Sequence, residues 1–274
     1  MGKIALYMFS FFLCTLWQMM GADPKSFVIV TASYNNKEWY QRNLDSVFGQ
    51  TYDNWRMIYI NDCSTDGTGD LVNRYVHDKS YQDKVIIINN DTRRGHLANQ
   101  YDAIGSIAKH EIVVNVDGDD WLAHDNVLSY LNMQYQDPNV WLTYGQFAFL
   151  SSNKPGYCKP IAQQYLISGK IRTMPQFIFS HIRTFYAGLF HHIKRNDLLY
   201  EGNFYPRAAD VAIMYPMIEM AGDHALFIPE ILYIYNNRNP LGFFWTSNHK
   251  DLDAKIHTHL RAQMPYDRLE SLGF

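Results

Sequence analysis

The sequence predicts an α/β fold: a mostly parallel, doubly wound sheet flanked by helices, with a smaller lobe toward the C-terminus. Two observations carry this. Across residues 26–150, short β-branched runs alternate with segments of helical period. Those runs are apolar throughout rather than at every second position, as strands covered on both faces must be. A length of 274 residues with 47% hydrophobic content is ample for one sizeable core.

The elements follow in order. Residues 26–33, SFVIVTAS, read as a buried strand. Residues 38–50 place Trp39, Leu44, Val47 and Phe48 at helical spacing and close near Gly49. Residues 55–62 form the second strand, 68–78 the second helix, 84–90 the third strand, 95–110 the third helix and 111–117 the fourth strand. A helix over 125–137 and a longer strand over 140–150 complete the alternation. Residues 151–160 read as a loop, and the stretch through Arg195 mixes aromatic, His and basic residues without period. Regularity returns at 210–222, a helix with Pro216 in its interior that closes at Gly222. Residues 224–236 read as two short strands broken at Pro229, and 251–264 as an amphipathic helix. The expected organisation is a targeting segment over 1–22, one domain over 25–240 with halves 25–122 and 123–240, and a helical tail over 241–274. With no internal repeat and no low-complexity linker, the second half should share the core of the first.

The apolar run from Ile4 to Trp17 follows a short basic start and precedes small residues near Ala22. Spanning a bilayer takes roughly 20 apolar residues, so the layout fits a signal peptide better than a short membrane anchor. The expected location is a secretory lumen or a membrane surface. Asn90-Asp91-Thr92 would then be a glycosylation acceptor in a eukaryotic host. Three distant cysteines, Cys14, Cys63 and Cys158, make no disulfide framework, though Cys63 and Cys158 are left free to pair. A net charge of −3 without a basic run points to small-molecule partners and away from nucleic acid.

In a doubly wound sheet, ligands bind beyond the carboxyl ends of the strands. Four such ends here are polar and distinctive: TASYNN, INDCSTDGT, NNDTRRG and VDGDD. No G-x-G-x-x-G follows the first strand and no G-x-x-x-x-G-K-[ST] occurs, so a glycine-rich phosphate cradle is missing. Asp117, Asp119 and Asp120 instead offer hard carboxylate oxygens suited to Mg²⁺ or Mn²⁺ bridging to phosphate. The plainer alternative is an Asp-Gly turn with a helix-capping acid.

Taken in order, these segments resemble family 2 glycosyltransferases of the GT-A fold. The likeness is dense over residues 27–122, thins to about residue 200, and resumes at ADVAIMYPMIEMAGDHALFIPEILYIYN. It implies metal-dependent, inverting transfer from a nucleotide-diphosphate sugar, a UDP-sugar foremost, to a hydroxyl of a glycan, protein or lipid acceptor, with Mn²⁺ or Mg²⁺ as cofactor. Ala32, Ser33, Tyr34 and Asn35 match the loop around base and ribose, and Asp62 the acid that meets the base. Asn61 stands where the family has a further acid, which leaves the base more open. Arg94, Gly95 and Asn99 match the segment that closes over the nucleotide. Asp119 matches the better metal ligand, Asp117 the residue nearer the ribose or sugar, and Asp120 is the fallback ligand. Asp210 matches the catalytic base at the start of the acceptor-side helix, with Ala209 where the family has Glu. That helix start would keep Asp210 ionised, and would equally make it an ordinary cap.

Two other readings stand beside this. A sugar-nucleotide pyrophosphorylase wants a basic, glycine-rich loop that TASYNN lacks, while an inactive member that binds glycans or acts as a scaffold is conceivable because of Ala209. His191 and His192 are candidates to face an acceptor. His257 and His259, two apart on a helix, point away from each other. His249 is a candidate third ligand, and residues 245–248 with Pro265-Tyr266 are a candidate lid.

Overall fold

The computed structural model describes residues 23–242 and 250–274. The targeting segment, Cys14, His249 and residues 245–248 lie outside the described residues.

The first half follows the expected alternation: β1 (Phe27–Ser33), α1 (Tyr40–Phe48), β2 (Trp55–Asn61), α2 (Thr68–Asp78), β3 (Val85–Asn89), α3 (His96–Gly105), β4 (Ile112–Asn115), β5 (Trp121–Leu122), α4 (Val127–Gln134) and β6 (Leu142–Phe149). The second half adds α5 (Gln163–Ser168), β7 (Arg183–Tyr186), α6 (Ala187–His191), a small hairpin of β8 (Leu199–Tyr200) and β9 (Asn203–Phe204), α7 (Ala209–Ala221), β10 (Ala225–Tyr235) and α8 (Lys250–Ala262). Eight strands form one sheet in the order β3-β2-β1-β4-β7-β6-β10-β5. The β1–β2, β2–β3, β1–β4 and β6–β10 pairs are parallel, whereas β7 runs antiparallel to both β4 and β6.

β1 shows why its run is apolar at every position. Phe27 and Ile29 face a cluster with Leu44 and Val47 of α1, Val72 of α2 and Leu131 of α4. Val28 and Val30 face the opposite cluster, with Leu97 and Ile104 of α3 and Ile213 of α7. Burying both faces removes the polar alternation a half-exposed strand would show.

Several elements depart from the sequence reading, among them α5, α6 and the β8–β9 hairpin, for which no element was expected. β7 was not foreseen, because four residues beginning Arg-Thr are too short and too polar to show a strand period. The region of Pro229 is one strand rather than two: β10 shifts register between Ile228 and Ile231 and again before Tyr233. Proline lies in this irregularity, where the ladder does not need its missing N–H. The two-residue β5, antiparallel to β10, was also missed.

α7 is buried on every side from Val211 to Ala221, and α8 sends Ile256 and Leu260 into the same cluster that holds Val28 and Val30. The C-terminal helix is therefore packed on the common core. Among the described residues, no helix is long and apolar enough to cross a membrane.

Candidate active site

The carboxyl ends of β1, β2 and β4 meet at one rim, and side chains tie their loops together. Asn35, at φ 53°, donates its backbone N–H to Ser64 Oγ and accepts the Thr65 N–H on its side chain. Asn36 donates its N–H to Thr68 Oγ1 and its amide to Ser33 Oγ, which also accepts from Tyr59. Ala32 and Ser33 are thus buried beneath the loop, while Tyr34 is part-exposed with the Arg93 guanidinium 3.8 Å above its ring. Gly118 has a steric reason. A Cβ there would lie 2.6 Å from Ser33 Cβ and 2.7 Å from Asn36 Nδ2, so glycine lets the acidic loop dock against β1.

Asp62 spends its carboxylate inside the protein. Oδ1 accepts the backbone N–H of Arg94 and the amide of Asn90, and Oδ2 accepts the Gly95 N–H. Burial works to raise its carboxyl, but these donors and Asn99 hold it below the ordinary range. In this structure Asp62 anchors the start of α3. The Arg94 side chain turns outward to Asp102 at 2.6 Å.

The three acids of the Asp-Gly-Asp-Asp loop have three environments. Asp120 is buried and accepts from Tyr233 OH at 2.8 Å and Asn236 N–H at 2.6 Å, pinning the loop to β10. Burial and the charges of Asp119 and Asp117 push its pKa well up. Asp119 accepts from Asn239 Nδ2 at 2.7 Å, and burial, reinforced by Asp117, pushes it up to about 6. Asp117 lies 3.5 Å from His96 Nε2 and 3.7 Å from Arg183 Nη2. Burial works to raise its carboxyl, yet His96 and Arg183 hold it below the ordinary range.

Asp117, Asp120 and His181 each bring a ligand atom within 4.8 Å of the others, a set that can hold a metal ion. Asp117 Oδ1 and His181 Nδ1 are buried without a hydrogen-bond partner. Burial and Arg183 push His181 down to about 3, leaving the neutral imidazole that ligates metals. Two hard carboxylate oxygens suit Mn²⁺ or Mg²⁺, and the imidazole nitrogen is a donor that Mg²⁺, a cation of oxygen ligands, takes less readily. Asp119 stands beside this set, outside it, with Asn239 on its carboxylate.

Asp210 reaches the same centre from the other half. It lies in the first turn of α7, after Ala208 in the left-handed region at φ 55°, with Arg183 Nη1 3.5 Å from its carboxylate. Arg183 therefore faces Asp117 and Asp210 together. Neither His181 nor Arg183 was expected from the sequence. His181 lies just before β7 and Arg183 opens it, paired with Asn115 through an antiparallel register that no local pattern announces.

Several expectations change. Asn90 donates its amide to Asp62 and to Asn99 at 2.8 Å, so its Nδ2 is committed to the loop rather than presented to a glycan. Cys63 and Cys158 do not pair; both are free, and burial pushes the Cys158 thiol up to about 11. His191 turns inward to the Ile104 carbonyl at 3.0 Å, while His192 is exposed. His259 is held by Tyr205 OH at 2.6 Å. Tyr266 is a brace rather than a lid, donating its OH to Asp197 and its N–H to Glu219.

Residues 28–193 match glycosyl transferase family 2. The chain belongs to this family. The putative glycosyltransferase EpsE of Bacillus subtilis is 33% identical over 101 residues, 37% of this chain and 35% of that protein. The Escherichia coli protein WfaP, a UDP-Glc:alpha-D-GlcNAc-diphosphoundecaprenol beta-1,3-glucosyltransferase, is 27% identical over 119 residues, 43% of this chain and 45% of that protein. The matched segment thus spans less than half of either relative. Family 2 membership accords with the solved structures, which share the GT-A fold. TarS 1–349 of S. aureus, in complex with UDP-GlcNAc, superposes with a TM-score of 0.58 at 17% identity over 81% of this chain and 61% of that one. The mannosyltransferase PcManGT from Pyrobaculum calidifontis, in complex with GDP-Man and Mn²⁺, gives 0.55 at 19% identity over 86% and 68%.

Proposed function

We propose that this family 2 protein is an inverting glycosyltransferase that moves a sugar from a nucleotide-diphosphate sugar, a UDP-sugar foremost, to an acceptor hydroxyl. One observation carries the reading. Asp117, on the loop after β4, and Asp210, on the far half of the chain, flank the same Arg183 guanidinium at 3.7 and 3.5 Å. A donor-side carboxylate and a candidate base thereby face one guanidinium, although 93 positions of the sequence separate them.

In this reading the base and ribose occupy the loop of Ala32, Ser33, Tyr34 and Asn35, with Arg93 and Arg94 at its edge. Asp117, Asp120 and His181 are the groups to hold Mn²⁺ or Mg²⁺, with Asp119 beside them as a further carboxylate. Such an ion, when bound, offsets the charge of the diphosphate as it leaves. Asp210 takes the proton of the acceptor hydroxyl while that oxygen attacks the anomeric carbon from the face opposite the departing nucleotide. The acceptor is a glycan, protein or lipid. The apolar segment over residues 4–17 directs the chain to a secretory lumen or a membrane surface, which fractionation of cells expressing the full chain checks.

The test is nucleotide release by the purified chain with Mn²⁺ and a panel of UDP-glucose, UDP-GlcNAc, UDP-galactose and GDP-mannose. A UDP-sugar should support the highest turnover. Asp210→Asn should lower it by about 10²–10⁴-fold while leaving donor affinity within a few-fold. Silence with every donor would overturn the transferase reading.

A further inference from the structure

Arg183 has a status that the transferase reading does not by itself explain. It is nine-tenths buried or more, with its side chain 3% exposed, yet among the described residues its Nε finds no hydrogen-bond partner. Nε is buried without a partner, and the two carboxylates stand at 3.5 and 3.7 Å, ion-pair distances that are long for hydrogen bonds. A buried cation held this way is expensive, and an apolar side chain of similar size would pack there at less cost. What the guanidinium adds is a fork: Nη1 faces Asp210 and Nη2 faces Asp117.

The surroundings of Asp210 make that fork consequential. Its preceding residue is Ala209, which contributes no polar side chain, and the residue before it is held at φ 55°. Among the described residues, Arg183 is the one cationic side chain within 4 Å of the Asp210 carboxylate. Asp117, by contrast, also has His96 at 3.5 Å. Loss of Arg183 would therefore leave Asp210 without its oriented partner while Asp117 keeps one.

We propose that Arg183 is a positioning residue that holds the Asp210 carboxylate in the attacking line by anchoring it to the donor-side loop. The assignment rests on the transferase reading above, in which Asp210 is the base. Arg183 acts through Asp210 and takes no proton itself. A buried guanidinium on β7 thus orients a carboxylate on α7 from across the sheet.

The test combines Arg183→Met and Arg183→Lys with Asp210→Asn, measured as turnover with Mn²⁺ and the best donor and as Mn²⁺-dependent UDP affinity by calorimetry. Arg183→Met should lower kcat by roughly 30-fold or more, with UDP affinity unchanged within about 3-fold or tighter, since a cation beside Asp117 is gone. Arg183→Lys keeps the charge without the fork and should recover a several-fold part of the loss. The double variant Arg183→Met/Asp210→Asn should be no slower than Asp210→Asn alone within about 2-fold, the non-additivity expected of residues acting as one unit. Should Arg183→Met fail to fold, Arg183→Lys combined with Asp210→Asn gives the same comparison. Independent, multiplying effects, wild-type kcat in Arg183→Met, or lost UDP binding in a folded variant would each overturn the assignment while sparing the transferase reading. A wild-type chain that releases no nucleotide from any donor would overturn both.

Discussion

Asp119 sits at about 6 because burial and the charge of Asp117 oppose its ionisation. The sign of the linkage follows. A folded-state value above the ordinary 3.8 means that the protonated form is favoured in the fold, so the stabilisation it brings is complete below 3.8 and lost as pH rises through about 6. At neutral pH the ionised group is a strain on the metal-free protein. Asp119→Asn should raise the Tm of the metal-free chain by about 3–6 °C at pH 7.5, and the gain should shrink as the pH is lowered toward 4. Thermal melts across that range check it; a pH-independent gain would mean that the amide merely packs better. The acidic loop itself is legible as a sequence, since clustered carboxylates at a strand end need an explanation. His181 and Arg183 are not legible, because an isolated His and Arg in an aperiodic stretch acquire meaning only when β7 is laid beside β4.

At the scale of elements, the loops after β1 and β4 are fitted to each other through one missing side chain. Gly118→Ala would press a methyl group to 2.6 Å from Ser33 Cβ and 2.8 Å from its Oγ, and Ser33 is fixed in β1 with Tyr59 on its hydroxyl. Overpacking of this kind costs about 1–3 kcal/mol. Urea unfolding should show a loss in that range, and nucleotide affinity should fall with it because the acidic loop is pushed off the rim. Unchanged stability would show that the loops are not in close contact. The alternation of β1, β2, β4 and β6 with their helices was readable because those strands are apolar on both faces, while the edge strand β3 was readable from its β-branched run although Ile86 and Ile88 are exposed. β10 was misread because Pro229 ordinarily ends a strand, and only the register shifts beside it show how the ladder continues.

At the scale of the molecule, the second half is tied to the C-terminal helix. Arg172 makes a two-pronged ion pair with Glu219 of α7 at 2.7 and 2.9 Å, with side chains 3% and 1% exposed, and donates to the Leu260 carbonyl of α8. Arg261 of α8 returns two hydrogen bonds, to the carbonyls of Arg172 and Met174. The helix that starts with Asp210 is therefore braced by the C-terminal helix. Removing one partner of a buried pair strands the other, so Arg172→Met should cost about 3–5 kcal/mol in urea unfolding. A loss near zero would mean that the brace contributes little. The sequence foretold both helices from their periods, but their mutual dependence needs the distances, since Arg172 lies in the stretch that showed no period.

The proposed reaction centres on a divalent ion and a nucleotide diphosphate held together at the loop of Asp117. Calorimetric titration of UDP-GlcNAc and GDP-mannose into the wild-type chain and Asp117→Asn, with Mn²⁺ and with chelator, tests this most directly. At least one donor should bind with Mn²⁺, be lost with chelator, and bind Asp117→Asn at least about tenfold more weakly. Affinity that is the same with and without Mn²⁺, and the same in Asp117→Asn, would contradict it.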